Sequence, residues 1–198
     1  MNESGSARPV PEGTAVIIAV GGNLGESRAI QRRFERALTR LGTTLPGHSA
    51  RLSPLYHSAP VGPIADQPPF LNGAIELVLG AALAPLAILD RILAIEGELG
   101  RVRDPTRPKG PRTIDLDLLF AGDQRVALPR LHLPHPRIAE RLFVLRPLAD
   151  LRGGDWLMPG IGRTVAQCMA APQLAGQRAE LRSYSPRPGS AERYSPGA

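Results

Sequence analysis

Apolar side chains recur along the chain with two different periods, and these periods predict its strands and helices. Short runs that are continuously apolar, or that alternate with polar residues, are typical of β-strands. Apolar residues spaced three and four apart are typical of one face of an α-helix. The predicted strands are residues 14–20, 51–58, 70–79, 113–120, 125–128 and 143–148, and the predicted helices begin at Ser27 and at Pro85.

The order of these elements predicts an α+β fold. Strand, helix, strand, strand, helix, strand is the ferredoxin-like βαββαβ arrangement, in which helices pack on a mainly antiparallel sheet. Gly122 and Asp123 favour a tight turn, so we expect residues 113–120 and 125–128 to form a hairpin. A doubly wound parallel sheet would need more crossover helices than this pattern contains.

Both ends of the 198-residue chain lack this periodicity. Residues 1–13 contain proline and glycine without a regular apolar pattern, and Ser, Pro, Gly, Arg and Ala dominate residues 172–198. We therefore predict a disordered leader at residues 1–13, one domain at residues 14–171 and a disordered tail at residues 172–198.

The composition also predicts where the protein works. No apolar run approaches the ~20 residues that span a bilayer, and residues 1–11 lack the apolar centre of a secretory signal. Cys168 is the single cysteine, which excludes an internal disulfide. These features predict a reducing, cytoplasmic setting.

The formal net charge is +6, and Lys109 is the one lysine, so arginine supplies nearly all of the positive charge. A basic balance is compatible with a nucleic-acid surface or with an anionic substrate. Because arginine is frequent throughout the chain, only its position can distinguish a functional side chain from a solvated one.

The strongest local motif is a pair of aspartates on the predicted strand at residues 113–120. Asp115 and Asp117 are two residues apart, so their side chains point to the same face of the strand, whereas Ile114 and Leu116 point to the other. Two neighbouring carboxylates suit Mg²⁺, which typically binds one or two carboxylates together with substrate phosphates. The alternative is an amphipathic strand with a solvated acidic face.

Arginines cluster on both sides of this acid pair in the sequence. The guanidinium group binds phosphate oxygens through two parallel hydrogen bonds, so the cluster predicts a polyphosphate clamp. The alternative is a solvated basic loop. The basic residues before and after the pair are Arg101, Arg103, Arg107, Arg112, Arg130, His135 and Arg141.

A third group of residues fits a planar heterocycle. Asn72 lies on a predicted strand beside Phe70, and its amide could pair with donor and acceptor edges of a ring. Phe70 and Phe143 could stack on such a ring. The alternative is a core phenylalanine and an asparagine whose amide is satisfied locally.

Taken together and in this order, these segments resemble the 6-hydroxymethyl-7,8-dihydropterin pyrophosphokinase family. The resemblance covers about residues 14–150, and the run at residues 110–117 is its most specific part. The matching stretches are residues 21–25, 53–62, 66–68, 70–72, 100–103, 110–119, 133–136 and 141–145.

The resemblance implies a ferredoxin-like fold and two Mg²⁺ ions as cofactors. It implies transfer of diphosphate from ATP to the pterin hydroxymethyl group, with release of AMP. The implied metal ligands are Asp115 and Asp117, which with Arg101 and Arg112 form the implied catalytic set. The implied ATP-binding residues are Glu96, Arg101, Arg103, Arg112, Arg130, His135 and Arg141, and the implied pterin-binding residues are Ser58, Phe70, Asn72 and Phe143.

We accordingly expect a monomer whose partners are ATP and the pterin, with no nucleic-acid or membrane partner. Two other functions compete with this one. A basic module for RNA or another polyanion would be expected to carry more aromatic residues than 4%. A catalytically degenerate relative would bind pterin or nucleotide without turnover. An assay for AMP release distinguishes all three.

Overall fold

The strands of the protein form one mainly antiparallel sheet and a small hairpin. The computed structural model describes residues 9–45, 47–61, 66–102 and 110–186. In this part of the chain, the sheet has the order β5-β1-β4-β3-β8, with β2 also paired to β4, and β6 pairs with β7. The strands are β1 (Ala15–Gly22), β2 (Gly47–Leu52), β3 (Leu55–Ser58), β4 (Phe70–Leu79), β5 (Asp115–Ala121), β6 (Val126–Leu128), β7 (Leu131–Leu133) and β8 (Arg182–Tyr184).

Helices cover both faces of this sheet. They are α1 (Ser27–Thr44), α2 (Pro85–Glu98), α3 (Leu142–Arg152), α4 (Val165–Met169) and α5 (Ala175–Glu180), with short 3₁₀ helices at Ile138–Glu140 and Pro172–Leu174. None of the helices in the described ranges is both long and apolar enough to cross a bilayer.

Strand β1 is a continuous apolar run because side chains on both of its faces are buried. Val16 and Ile18 point to one face and are buried in the larger core cluster, together with apolar residues of α1 and α2. Ile17 points to the other face and packs in a second cluster with residues of α3 and α4. The predicted α+β fold, with helices packed on a mainly antiparallel sheet, is confirmed.

The predicted strand at residues 143–148 was wrong, because these residues belong to helix α3. Val144, Leu145 and Leu148 lie on one face of the helix and are buried in the second core cluster. A short apolar run does not by itself distinguish a strand from a buried helix. Helix α3 is fixed to β3 by Tyr56, whose hydroxyl donates to Asp150 Oδ2 at 2.6 Å.

Two further strand predictions need correction. The turn at Gly122 does not close a hairpin with β5, because β6 pairs with β7 instead. The predicted strand at residues 51–58 is divided between β2 and β3 around Ser53, and both strands pair with β4. Ser53 keeps the chain bonded to β4 between the two strands. Its hydroxyl accepts from Ala74 N at 3.0 Å, and its own N–H donates to Ala74 O at 2.9 Å.

The folded part of the chain extends beyond the predicted domain at both ends. Val10, from the predicted leader, is completely buried and exchanges backbone hydrogen bonds with Leu83. In the predicted tail, α5 and β8 are formed, and β8 pairs with β3. Residues 1–8 and 187–198 lie outside the described residues.

Candidate active site

One row of residues across three strands defines the site. Asp115 of β5 and Asn72 of β4 are both register partners of Gly21 of β1. Side chains directly opposite one another in an antiparallel sheet point to the same face. Because Gly21 has no side chain, the space between the Asp115 carboxylate and the Asn72 amide is open. A Cβ atom at position 21 would lie 3.3 Å from Asn72 Oδ1.

The open row is the floor of a cleft of about 660 Å³. The structure brings eleven of the predicted site residues to its wall, while Glu96 is not on the wall and Arg103 lies outside the described residues. The eleven are Ser58, Phe70, Asn72, Arg101, Arg112, Asp115, Asp117, Arg130, His135, Arg141 and Phe143. We call Arg101, Arg112, Asp115 and Asp117 the charged end, and Ser58, Phe70, Asn72 and Phe143 the ring end.

The two carboxylates of the charged end have different surroundings. Asp115 forms ion pairs with both Arg101 and Arg112. Burial and the neighbouring charge of Asp115 raise the pKa of Asp117, although the surrounding arginines oppose this shift. A pair of hard oxygen ligands that repel each other is a suitable site for a divalent cation. The described residues contain no group of three or more acidic, histidine or cysteine side chains suited to a metal, so substrate oxygens would have to complete the coordination.

Both arginines of the charged end are held close to the sheet. Arg101 donates to Ile114 O at 3.0 Å, and its side chain is only 12% exposed. The guanidinium carbon of Arg112 lies 5.3 Å from the centroid of the Phe70 ring. Among the described residues, Arg112 Nε is a buried polar atom with no hydrogen-bond partner. Because an unpaired buried donor is costly, a small turn of the guanidinium group that let Nε donate to an anion in the cleft would be favourable.

Glu96 lies beneath the charged end and not on the cleft wall, in contrast with its predicted place among nucleotide ligands. This residue of α2 is 1% exposed. One carboxylate oxygen accepts from Arg101 at 2.9 Å and from the backbone N–H of Leu116 at 2.7 Å. The buried carboxylate therefore holds Arg101 against β5.

The ring end combines aromatic walls with a buried amide. Asn72 is 4% exposed, and its Nδ2 donates to Ser58 Oγ at 3.0 Å. Phe70 and Phe143 both line the cleft, and the Arg141 guanidinium lies 5.7 Å from the centroid of the Phe143 ring. The strand register therefore places the Asn72 amide and Phe70 at the cleft, and the beginning of α3 adds Phe143 to its wall.

The remaining basic residues line the cleft beside the charged end. Burial and the charges of Arg141 and Arg137 lower the pKa of His135 to about 4. The backbone N–H of Arg137 donates to His135 Nδ1 at 3.2 Å, which requires an unprotonated Nδ1. Arg130 is more exposed and pairs with Asp90 at 2.6 Å. His135 is therefore a neutral hydrogen-bonding group at neutral pH, and Arg141 and Arg130 carry the positive charge.

Comparison with known proteins identifies the family. The sequence matches the 7,8-dihydro-6-hydroxymethylpterin-pyrophosphokinase (HPPK) family over residues 17–153. This chain belongs to the HPPK family. The predicted family and the predicted class of enzyme are thereby confirmed.

Relatives of the chain support the same assignment. A 2-amino-4-hydroxy-6-hydroxymethyldihydropteridine pyrophosphokinase of Pseudomonas aeruginosa is 46% identical over 161 residues, covering 81% of this chain and 93% of the relative. The Synechocystis protein of the same name is 37% identical over 151 residues, covering 76% of this chain and 72% of the relative. A crystal structure of Plasmodium falciparum HPPK-DHPS has a TM-score of 0.65 at 14% identity, over 87% of this chain and 45% of that one, and it supports the fold alone.

One residue that supports this HPPK-family cleft without lining it was not among the predicted site residues. Asn23 is 2% exposed and joins three separate segments around the charged end. Its Nδ2 donates to Gln67 Oε1 at 3.1 Å and to Pro68 O at 3.0 Å, and its Oδ1 accepts from Arg112 N at 2.8 Å. The sequence contained a signal for this role, because Asn23 is a polar residue between glycines in the turn at residues 21–25.

Proposed function

We propose that this protein transfers the diphosphate group of ATP to the hydroxymethyl group of 6-hydroxymethyl-7,8-dihydropterin and releases AMP. The observation that carries the proposal is the row formed by Asp115, Gly21 and Asn72. It joins a carboxylate and arginine cluster to an aromatic and amide cluster within one cleft. A polyphosphate and a flat heterocycle are the two kinds of ligand that these clusters suit.

The charged end is assigned to the phosphates of ATP. Arg101 and Arg112 are paired with Asp115, and a polyphosphate offers their guanidinium groups stronger, bidentate partners. Asp115 and Asp117 would hold two Mg²⁺ ions, a fit supported by the raised pKa of Asp117 and by the all-oxygen character of the pair. Bound Mg²⁺ would neutralise phosphate charge and polarise the acceptor hydroxyl. The protein itself contributes position and charge more than covalent chemistry, as is usual in phosphoryl transfer.

The ring end is assigned to the pterin. Asn72 would form hydrogen bonds with an edge of the ring, while Ser58 holds the asparagine amide in place. Phe70 and Phe143 would cover the two faces of the ring. His135, Arg141 and Arg130 would complete the nucleotide side, with His135 acting as a neutral hydrogen-bonding group.

A turnover assay tests the proposal. The purified protein is incubated with ATP, MgCl₂ and 6-hydroxymethyl-7,8-dihydropterin, and nucleotides are separated by chromatography. We expect AMP to accumulate in equal amount to the pterin diphosphate, and none to form when the pterin or the metal is omitted. Accumulation of ADP, or binding of an ATP analogue without any AMP release, would contradict the proposed reaction. The expected monomeric state and cytoplasmic location remain predictions.

A further inference from the structure

The last described segment of the chain packs beside the ring end. The family match ends at residue 153, and the predicted tail begins at residue 172. The structure nevertheless forms α5 and β8 in this region. Leu181, between these two elements, lines a small second cavity together with Ser58 and Phe143. This cavity shares Ser58, Ala59, Val61 and Phe143 with the main cleft, so the segment lies directly beside two of the four ring-end residues.

Gln177 of α5 connects this segment to the beginning of α3. Its Oε1 accepts from the backbone N–H of Leu142 at 2.9 Å, and its Nε2 donates to Glu140 O at 2.9 Å. The first N–H groups of a helix have no partner within the helix. Among the described residues, Leu142 N–H obtains its partner from Gln177, and the side chain of Arg141 at the N-cap forms no capping bond.

The two hydrogen bonds of Gln177 enclose the backbone at Arg141, where the chain enters the helix that carries Phe143. Glu140 and Leu142 flank Arg141, and Leu142 directly precedes Phe143. A single amide thus fixes the peptide groups on both sides of Arg141, and the second of them lies one residue before the peptide group that joins Leu142 to Phe143. The backbone position of Phe143 therefore depends on this turn, because Phe143 is the second residue of the helix that begins there.

Strand β8 supports the part of the ring end that contains Ser58 in a similar way. It pairs antiparallel with β3, with Ser183 opposite Tyr56 and Arg182 opposite His57. Ser58 follows at the end of β3 and accepts the hydrogen bond from Asn72. The tail segment at residues 172–184 therefore braces both the helix that carries Phe143 and the strand that carries Ser58.

We propose that Gln177 is a positioning residue for the pterin, acting through Leu142 to set the place of Phe143. This inference rests on the proposed function, in which Phe143 covers one face of the pterin. Gln177 lies outside the family match at residues 17–153, and the inference gives it a role in the affinity for the pterin. Gln177 itself does not line the main cleft, so it has no direct contact with substrate in this assignment.

The test compares three variants of the full chain. Gln177→Ala removes both hydrogen bonds, and we expect the KM for pterin to rise about fivefold to tenfold while kcat changes less than about threefold. Gln177→Glu retains an acceptor for Leu142 N–H at a helix N-terminus, so its KM should stay within about twofold of the wild type. Gln167→Ala is the matched control, because Gln167 also forms a capping bond, with Thr164 N at 2.9 Å, but lies away from the cleft.

A purely structural role would give a different result. In that case Gln177→Ala and Gln167→Ala would both lower the melting temperature, and the KM for pterin would change in neither or equally in both. Either outcome would overturn the inference, as would a Gln177→Glu variant as impaired as Gln177→Ala.

Hydrogen exchange separates this inference from the proposed function. We expect the backbone amides of residues 142–144 to exchange faster in Gln177→Ala than in the wild type or in Gln167→Ala. Unchanged exchange there would refute the positioning role even if the protein were found not to release AMP. Absence of AMP release by the wild type would instead refute the proposed reaction.

Discussion

The two ends of the cleft are held in place by different forces. At the charged end, Asp115 and the arginines are fixed by ion pairs, and the buried carboxylate of Glu96 holds Arg101 from below. At the ring end, neutral hydrogen bonds and packing between β3, β4 and α3 fix the side chains. An ion-paired site can exchange its partners when a charged ligand arrives, whereas a packed site keeps its shape.

This difference suggests that substitutions at the two ends should affect different steps. Loss of a charge should mainly slow the transfer, because charge is redistributed in the transition state. Loss of a ring-end contact should mainly weaken pterin binding, because that contact exists before and after transfer.

The largest effect is expected from the acid pair. Asp115→Ala and Asp117→Ala should each lower kcat by about 10³-fold or more, because each removes a ligand of the proposed metal site. Both side chains face the cleft and not the core, so both variants should fold. Asp115→Ala removes the ion-pair partner of Arg101 and Arg112 and should lower the melting temperature more than Asp117→Ala, which differential scanning fluorimetry can check. Asp123→Ala, at an exposed turn, is the control and should be fully active. Near-normal AMP formation by either cleft variant would contradict the assignment of Asp115 and Asp117 as metal ligands.

A smaller effect is expected at Arg112. Arg112→Ala should lower kcat by about 10²-fold, because it removes a cation from the phosphate site. The affinity for pterin should fall much less, since Arg112 contacts only the Phe70 wall of the ring end. Arg40→Ala removes an exposed arginine paired with Glu98 and should change neither quantity. A larger loss of pterin affinity than of kcat would show that Arg112 acts mainly on pterin binding, which contradicts its assignment to the charged end.

The reverse pattern is expected at Asn72. Asn72→Ala should weaken pterin binding by about 1–3 kcal/mol, because an edge of a buried heterocycle would be left unpaired. Affinity for a non-hydrolysable ATP analogue should be unchanged, which calorimetric titration of each ligand can measure. If pterin affinity in the presence of the analogue were the same as in the wild type, Asn72 would have a structural role only.

The smallest effect concerns the protonation of His135. Burial and neighbouring arginines lower its pKa to about 4, below the ordinary value of 6.5. The unfolded chain therefore takes up this proton at a higher pH than the folded one. The contribution of His135 to stability is complete above pH 6.5 and is lost as the pH falls towards 4. An NMR titration of the ring protons, assigned with His135→Gln, should give a midpoint near 4, and a midpoint near 6.5 would contradict the proposed neutral role.

The charged end could be predicted from sequence because its geometry is local. Asp115 and Asp117 share a face through the alternation of one strand, and Arg112 lies three residues before Asp115. Glu96 could not be placed in the same way. Its position behind Arg101 depends on how α2 packs on β5, which no local pattern specifies.

The ring end could be predicted only in part, because it depends on long-range packing. Asn72 was identified as a polar residue on an apolar strand, but the empty space beside it comes from Gly21 on the neighbouring strand. Phe143 was assigned to a strand because a short apolar run does not reveal whether one face or both are buried. Residues 172–198 were predicted to be disordered because Ser, Pro, Gly, Arg and Ala dominate them, whereas the order of α5 and β8 within this stretch depends on hydrogen bonds to β3 and α3.

The fate of the three phosphorus atoms of ATP tests the central claim most directly. A ³¹P NMR spectrum is followed during the reaction of wild-type protein with ATP, Mg²⁺ and 6-hydroxymethyl-7,8-dihydropterin. The account predicts that the β- and γ-phosphorus signals are transferred together into one diphosphate ester while the α-phosphorus signal becomes that of AMP. Appearance of ADP with a pterin monophosphate, or of inorganic phosphate alone, would contradict it.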